Sequence, residues 1–555
     1  MRRVLPLLQR PLVYRSAIGL YVLIMISLIT ASVAIGNRDV RSALYLTGSS
    51  TWQPHQPQAL RALFFDAAVG TNLAPDHFEV HWNTPNAPPL AKGEAGPGYF
   101  IHLNIPPIDR LAPEQHDSEQ HEVCALAKRD TFPDMRACWE VDLLPPAETL
   151  DEALNRAIGT TTSRDPNQHT RHPVLQDDNP ASELVLQLGP ADGELVRSLP
   201  DRIWLRVLER SSGAPVQARI ELTRVRGLAQ GPLTTSLTTD PLGLASLDLT
   251  VLTELELTAR LYHLDEELSP EASPREPATF TLRLTTVPAQ LSLALPKPYI
   301  VAGEPLEGLV HTIRPGAPFM ADLFEGTSMI AANAYGTSQS RGGFSLPTPP
   351  TDQIGPLARV QVYSSFFNPG DAWDVAHVLV LDDNSSQTLF RTTLALLQHL
   401  QELEPNAHWA PLIARLQEPS YRKFQSLDRL RPLLTYALSR LPRDFYAPQP
   451  LLNTRQQDRQ ALQLWKDELQ QDLYRMMLLV FGLGLLIVCY FVLLGVRRHR
   501  HESRLLAEVE LELEGPIHTN RAAKLEDLVT MIQVIIVLAT AALFGLGIIL
   551  VVSYL

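Results

Sequence analysis

Cysteine is nearly absent: the chain has three in 555 residues, and one, Cys489, lies inside an apolar run. The other two, Cys124 and Cys138, are fourteen positions apart, near His116 and His121 in HDSEQHEVC and MRACWE. A zinc site wants tight pairs, such as two Cys separated by two to four residues, and this spacing has none. In an oxidising compartment a Cys124–Cys138 disulfide is favoured over free thiols, and both are favoured over a metal site. Such a bridge, closing a loop of about 15 residues, contributes roughly 3 kcal/mol in the chain-entropy picture. Basic charge is also short. Lys and Arg number 47 against 60 Asp and Glu, a formal net charge of −13. That balance argues against nucleic acid as a partner, since phosphate recognition needs a basic face.

Catalytic signatures are missing as well. There is no Walker loop, no nucleotide-binding glycine fingerprint, no HExxH pair and no GxSxG elbow. The expectation is a protein that is not an enzyme, with no cofactor and no metal. The acidic Asp382-Asp383-Asn384 reads as a solvated linker before it reads as a cation site. Asn384-Ser385-Ser386 fits a glycosylation acceptor, a triplet common by chance. Tyr363, Phe366, Phe367 and Trp373 either line a binding surface or fill and cap a core, the commoner use of such rings.

Long apolar runs are what the chain does have. Residues 476–496, MMLLVFGLGLLIVCYFVLLGV, carry no charge, and RRHR follows at once. About 20 apolar residues at about 1.5 Å rise cross a bilayer core of about 30 Å. A buried soluble helix would keep a polar outer side, which this run lacks. Residues 17–35 form another such run after a basic, acid-free start, and 528–555 a third. The first is read as an uncleaved anchor, with a signal peptide cleaved near ASVA (31–34) as the alternative. RRHRHESR places the loop after the second run in the cytoplasm, so residues from about 37 to 475 are exported. No spanning run holds an Asp, Glu, Lys, Arg or His at its centre, which argues against a proton relay. Gln533, near one end, is a weak exception.

The exported part reads as short strands bounded by Pro and Gly, and the chain has 45 Pro. ALRALFF (59–65) is one apolar run; HFEVHW (77–82) and YFIHLNI (99–105) alternate with period two. From about 183 the pattern is clearest, in RIWLRVL (202–208), VQARIEL (216–222) and ELELTARL (254–261). After 383 it turns helical, at 393–403, 409–416 and 421–441, with interruptions at Pro419 and Pro432. Residues 451–475 read as an amphipathic helix, with Leu462, Trp465, Leu469 and Leu473 on one stripe, running unbroken into the membrane. One further helical candidate is 147–158. EVELELE (508–514) is either a strand or a charged helix end.

LRVLERSSGAPVQARIELTRV followed by TTDPLGLASLDLTV resembles the macroglobulin-type β-sandwich and the related carboxypeptidase-regulatory-like modules. The likeness rests on Gly213, Pro215, Val216, Ala218, Ile220, Leu222, Thr239, Asp240, Gly243 and Ala245. LALPKPYIVAGEPLEGLVHTI is similar to the opening of another such module, at Tyr299, Gly303, Glu304 and Pro305. The resemblance implies sandwiches and no particular activity. The family's protease-trapping Cys-Gly-Glu-Gln thioester is absent: Cys124 precedes Ala-Leu-Ala and Cys138 precedes Trp-Glu-Val.

The expected architecture is a multidomain membrane protein with exported Ig-like, macroglobulin-like β-sandwiches. Its parts are a cytoplasmic 1–16, a span at 17–36, a β-rich module at 37–145, a linker at 146–182, and sandwiches at 183–285 and 286–383. A helical juxtamembrane region (384–475), a span (476–496), a cytoplasmic loop (497–527) and a last span (528–555) complete it. The expected location is the bacterial cytoplasmic membrane, and the expected partners are the lipid bilayer and other envelope or membrane proteins. The expected role is protein binding or structural spacing. A subunit of a transport or secretion complex is one alternative, with Gly482, Gly484, Gly545 and Gly547 allowing close helix approach. A transmembrane sensor is another.

Overall fold

The computed structural model describes residues 42–82, 88–108, 120–129, 132–143, 175–176, 182–191, 193–230, 236–264, 277–288, 290–419, 427–443 and 445–514, with scattered residues of the apolar runs between 19 and 34 and between 528 and 545. The chain divides into two units, Ser42–Thr454 and Met1–Arg41 with Arg455–Leu555. The helical candidate at 147–158, most of the linker and His116 lie outside the described residues.

The first sandwich is built from β1 (Ser42–Gly48), β2 (Thr51–Trp52), β3 (Gln58–Asp66), β4 (Asn72–Leu73), β5 (His77–Trp82), β6 (Ala91–Gly93), β7 (Phe100–Ile105), β8 (Gln120–Arg129) and β9 (Phe132–Leu143). Period-two alternation sends Phe78 and Val80 of β5, and Ile101, Leu103 and Ile105 of β7, into one core. One sheet runs β2-β9-β8-β5-β6. The other runs β27-β1-β3-β4, with β7 also on β3, and β27 (Gln449–Asn453) comes from the far end of the unit. This corrects the sequence reading, which starts a helix at 451 and closes the first module by 145. Residues 449–453 pair with β1, Leu46 opposite Leu452 and Tyr45 opposite Asn453. Leu452 instead enters the first core, and Leu44 N–H donates to Thr454 Oγ1 at 2.9 Å.

The second sandwich-like body holds β10 (Leu175–Gln176), β11 (Leu184–Pro190), β12 (Leu195–Val196), β13 (Pro200–Glu209), β14 (Ala218–Gln230), β15 (Ser236–Thr238), β16 (Leu244–His263), β17 (Ala278–Leu284) and β18 (Thr286–Val287). β16 is long enough for β13 to pair with its first part and β17 with its last, while β14 lies along its other edge. The Thr-Asp-x-x-Gly signature makes the turn before β16. Asp240 Oδ1 accepts N–H bonds from Leu242 and Leu244, each at 2.9 Å. Gly243 has φ 74°, and a Cβ there would come within 2.5 Å of Val207 O, so only glycine fits.

The third sandwich faces the sheet β19-β21-β24 against β20-β26-β25-β22-β23. Its strands are β19 (Leu291–Ala294), β20 (Tyr299–Val301), β21 (Leu306–Thr312), β22 (Pro318–Glu325), β23 (Ser328–Gly336), β24 (Arg341–Leu346), β25 (Leu357–Tyr363) and β26 (Trp373–Leu381). Helices α1 (Ser386–Leu403), α2 (Trp409–Gln417) and α3 (Leu427–Ser439) follow. They form a core that includes Trp204 and Leu244 of the second sandwich and Leu379 and Leu381 of the third. Pro432 lies within α3 and does not end it, because Leu430, Leu433 and Leu434 on both sides are buried in that core.

From Arg455 onward in the other unit, α4 (Thr454–Glu514) is one helix of 61 residues, about 90 Å at 1.5 Å per residue. Its stretch Thr454–Glu502 is long and apolar enough to cross a membrane, with a mean hydropathy of 2.9 in its most apolar window. It is the one such helix among the described residues. EVELELE is helical within it. The described residues of the first and third apolar runs are helical too.

Candidate functional site: a buried polar seam

Residues Gln58–Leu63 of β3 have no solvent face. Leu60, Ala62 and Phe64 fill the first core, which sends Ala59, Arg61 and Leu63 the other way, and all are buried. In the third sandwich, Phe319, Ala321 and Leu323 of β22 fill the local core, which sends Asp322 and Phe324 outward to meet β3. Each of these strands carries one charge in its centre, and the two charges meet. Arg61 Nη2 donates to Asp322 Oδ1 at 2.6 Å and to Asn333 O at 3.2 Å, and Nη1 donates to the Tyr363 hydroxyl. Arg61 and Asp322 are both 0% exposed. A charge so buried costs several kcal/mol unless it is paired and hydrogen-bonded, and this pair is both.

The environment sets the titration of the group. Burial, and then the Arg61 charge, push His102 down to about 3, so its ring is neutral and its Nδ1 accepts from Arg61 Nε at 3.5 Å. Burial drives the Tyr363 phenol well above its usual range. The seam continues on both sides. Gln56 Nε2 and Gly355 N–H donate to the buried Glu325 carboxylate, the second at 2.7 Å. Thr51 Oγ1 bonds Thr327 Oγ1 at 2.8 Å. Gln361 holds the Tyr446 backbone twice, donating to its carbonyl at 2.7 Å and accepting from its N–H at 3.2 Å.

A second joint ties the second sandwich to the helices. Arg206, buried on β13, donates to the carbonyls of Ala407 and His408 at 2.8 and 3.0 Å and lies over the rings of Trp409 and Tyr436. His408 adopts a left-handed φ of 55°, and a Cβ on Gly213 would come within 2.5 Å of its Nδ1. Arg443 ties the segment after α3 to β26, donating to Val375 O and, at 3.1 Å, to Asp374 Oδ1. His377 lies nearby, held down to about 3 by burial and then by Arg359 and Arg443. It lines a cavity of about 70 Å³ with Ala191, Pro298, Thr435 and Ser439. The buried charges of these joints fix surfaces to one another.

The residues picked out from sequence fall in several places. Cys124 faces Cys138 across β8 and β9 with Cα atoms 4.0 Å apart, and their sulfurs are joined. His121 packs near the Trp82 ring. Among the described residues, no group of three or more His, Cys, Asp or Glu is placed to hold a metal. Asp382 and Asp383 are exposed, and Asp383 accepts from Ser385 N–H, the residue whose hydroxyl caps α1. Tyr363 belongs to the seam; Trp373 stacks on Phe445. Phe366 packs between Tyr45 and Phe100, which leaves Phe367 as the exposed ring of the four. A Cβ on Gly545 would overlap the Phe481 ring, so that glycine serves packing within the chain, whereas Gly482 has open space around it. The sequence reading missed Arg61, Asp322 and Arg206. The signal was there in ALRALFF and FMADLF, strand-length apolar runs each broken by one charge.

No family profile matches the chain, and no curated protein does. Among solved structures it is similar to the E. coli α-2-macroglobulin, at 13% identity and a TM-score of 0.15, over 62% of this chain and 23% of that one. A tandem repeat from the extending region of a large adhesion protein matches at 12% identity and a TM-score of 0.15, over 62% and 75%. The E. coli adhesin FdeC matches at 12% identity and 0.13, over 62% and 98%. The chain thus spans about a quarter of the macroglobulin's length. At these TM-scores the matches carry no argument about fold or activity.

Proposed function

We propose that the chain is a membrane-anchored protein of the cell envelope whose exported sandwiches act together as a non-catalytic binding or spacing unit. The observation that carries this reading is the seam. Arg61, Asp322 and Tyr363 join the first sandwich to the third, while Arg206 and the helices join the second to the third. Spacers that must hold a surface at a fixed place gain from such joints, because flexible connections would dissipate position. The apolar part of α4 supports anchoring, and its basic flank supports an exported Ser42–Thr454 unit in a bacterial cytoplasmic membrane. The test is protease shaving of spheroplasts with carbonate extraction. Fragments beginning near Arg455 that stay in the membrane pellet support the reading; a chain released by carbonate, or a Ser42–Thr454 unit protected until the cytoplasm is opened, refutes it.

A second reading, a transmembrane sensor, draws on one observation. α4 begins at Thr454, directly after a strand of the first sandwich, and continues without a break through the apolar stretch.

A further inference from the structure

Among the described residues, one sheet face of the second sandwich is largely exposed, at Arg224, Arg226, Arg260, Thr281 and Arg283. Its inner side is the core, with Leu222, Leu257, Leu261 and Phe280. Its outer side consists of four successive cross-strand rows on β14, β16 and β17. Arg219 lies opposite Tyr262, and Glu221 opposite Arg260. Arg224 lies opposite Thr258, and Arg226 opposite Glu256, which faces Arg283 on its other side. Every row therefore carries a guanidinium, five in all against two carboxylates, on a chain whose net charge is −13. Glu256 is shared by Arg224 at 3.9 Å and Arg283 at 3.6 Å, and those two arginines remain 48% and 64% exposed. Glu221 accepts from the Tyr262 hydroxyl at 2.9 Å.

We propose that this face docks an extended acidic segment of a partner protein. The claim rests on the protein-binding reading given above and adds the partner's chemistry. Two features select it. The strands of this face are already paired with one another, so recognition falls to side chains, and the planar guanidinium fork matches a carboxylate. Rows of one sheet face are about 6.8 Å apart, which is the distance between alternate side chains of an extended peptide. A strand with acids at every second position therefore meets the exposed Arg260, then Arg224, then Arg226 with Arg283, in three successive rows.

The test uses the purified full-length chain in detergent and a fluorescent peptide of alternating Glu and Thr, about ten residues long, read by anisotropy. The expected result is saturable binding that weakens with salt, because exposed charges are screened over about 8–10 Å. The Gln-Thr analogue should not bind. Arg226→Ser/Arg260→Ser should weaken binding at least about tenfold with unchanged unfolding temperature, while Arg314→Ser/Arg391→Ser, an equal loss of charge elsewhere, should leave it unchanged. The proposal is overturned by equal loss in both variants, by binding of the amide peptide, or by no binding at low salt. Tighter binding of polygalacturonate or of anionic vesicles than of the peptide also overturns it. Because the assay is done on purified protein, its failure leaves the shaving result untouched, and the reverse holds too.

Discussion

Replacing Arg61 by Leu leaves Asp322 with no cation beside it at a position that is 0% exposed. The variant loses the bonds to Asp322, Tyr363 and Asn333 at one stroke. Removing one partner of a buried ion pair costs about 3–5 kcal/mol, whereas replacing both by apolar groups is often neutral or stabilising by about 1–4 kcal/mol. Arg61→Leu should therefore destabilise by about 3–5 kcal/mol, and Arg61→Leu/Asp322→Leu should recover most of that loss. Arg61→Lys keeps the charge but not the planar fork, and should fall between. The assay is urea unfolding of the full chain followed by tryptophan fluorescence, since Trp52 and Trp139 are buried in the first sandwich. The double-mutant cycle supplies the coupling between the two sites. A single-variant cost below about 1 kcal/mol, or a double variant whose cost is the sum of the singles, would show that the seam does not rest on this pair.

Other outcomes follow from the same geometry. Both His102 and His377 are held near 3, from an ordinary 6.5, so the folded state stays neutral where the unfolded chain takes up a proton. Their contribution is present above pH 6.5 and is lost as pH falls toward 3, at about 1.4 kcal/mol per pH unit for each group. His377→Gln should accordingly flatten the stability profile between pH 6.5 and about 5, the part of the window above the carboxylates; an unchanged slope counts against it. Reducing the Cys124–Cys138 bond, or Cys124→Ala/Cys138→Ala, should cost roughly 3 kcal/mol, visible as earlier proteolysis of the β8–β9 hairpin under reducing conditions. Gly213→Ala adds a Cβ into the His408 ring at a φ of 68° and should destabilise by about 1–2 kcal/mol; a neutral effect would show that the joint can move aside.

The strands were legible because period two survives wherever one face is wet. HFEVHW and FIHLNI announce their inner residues, and the TDPLG turn announces its glycine. β3 and β22 break that rule. With both faces buried they lose the alternation, and what remains is an apolar run with a stray charge. The partner of that charge is 261 positions away, and spacing along the chain does not reveal it. β27 was missed for a similar reason. Five residues with two prolines nearby carry too little pattern, and their pairing partner, β1, lies at the opposite end of the unit. The helices were read correctly where an apolar stripe repeats, and misread at Pro432, where core burial outweighs a missing N–H.

The pairing of β1 with β27 has a consequence for engineering. Tyr45 is opposite Asn453, so the first and last strands of the Ser42–Thr454 unit are neighbours and its two ends leave from one place. Segments with adjoining ends are the ones that tolerate transplantation into a loop of another protein. Cut at Ser42 and Thr454, the unit has the adjoining ends that insertion into a host loop requires. Cut a few residues inside the C-terminal end, the same segment loses the edge strand β27 and bares β1; cut inside the N-terminal end, it loses β1, which holds β27 to β3.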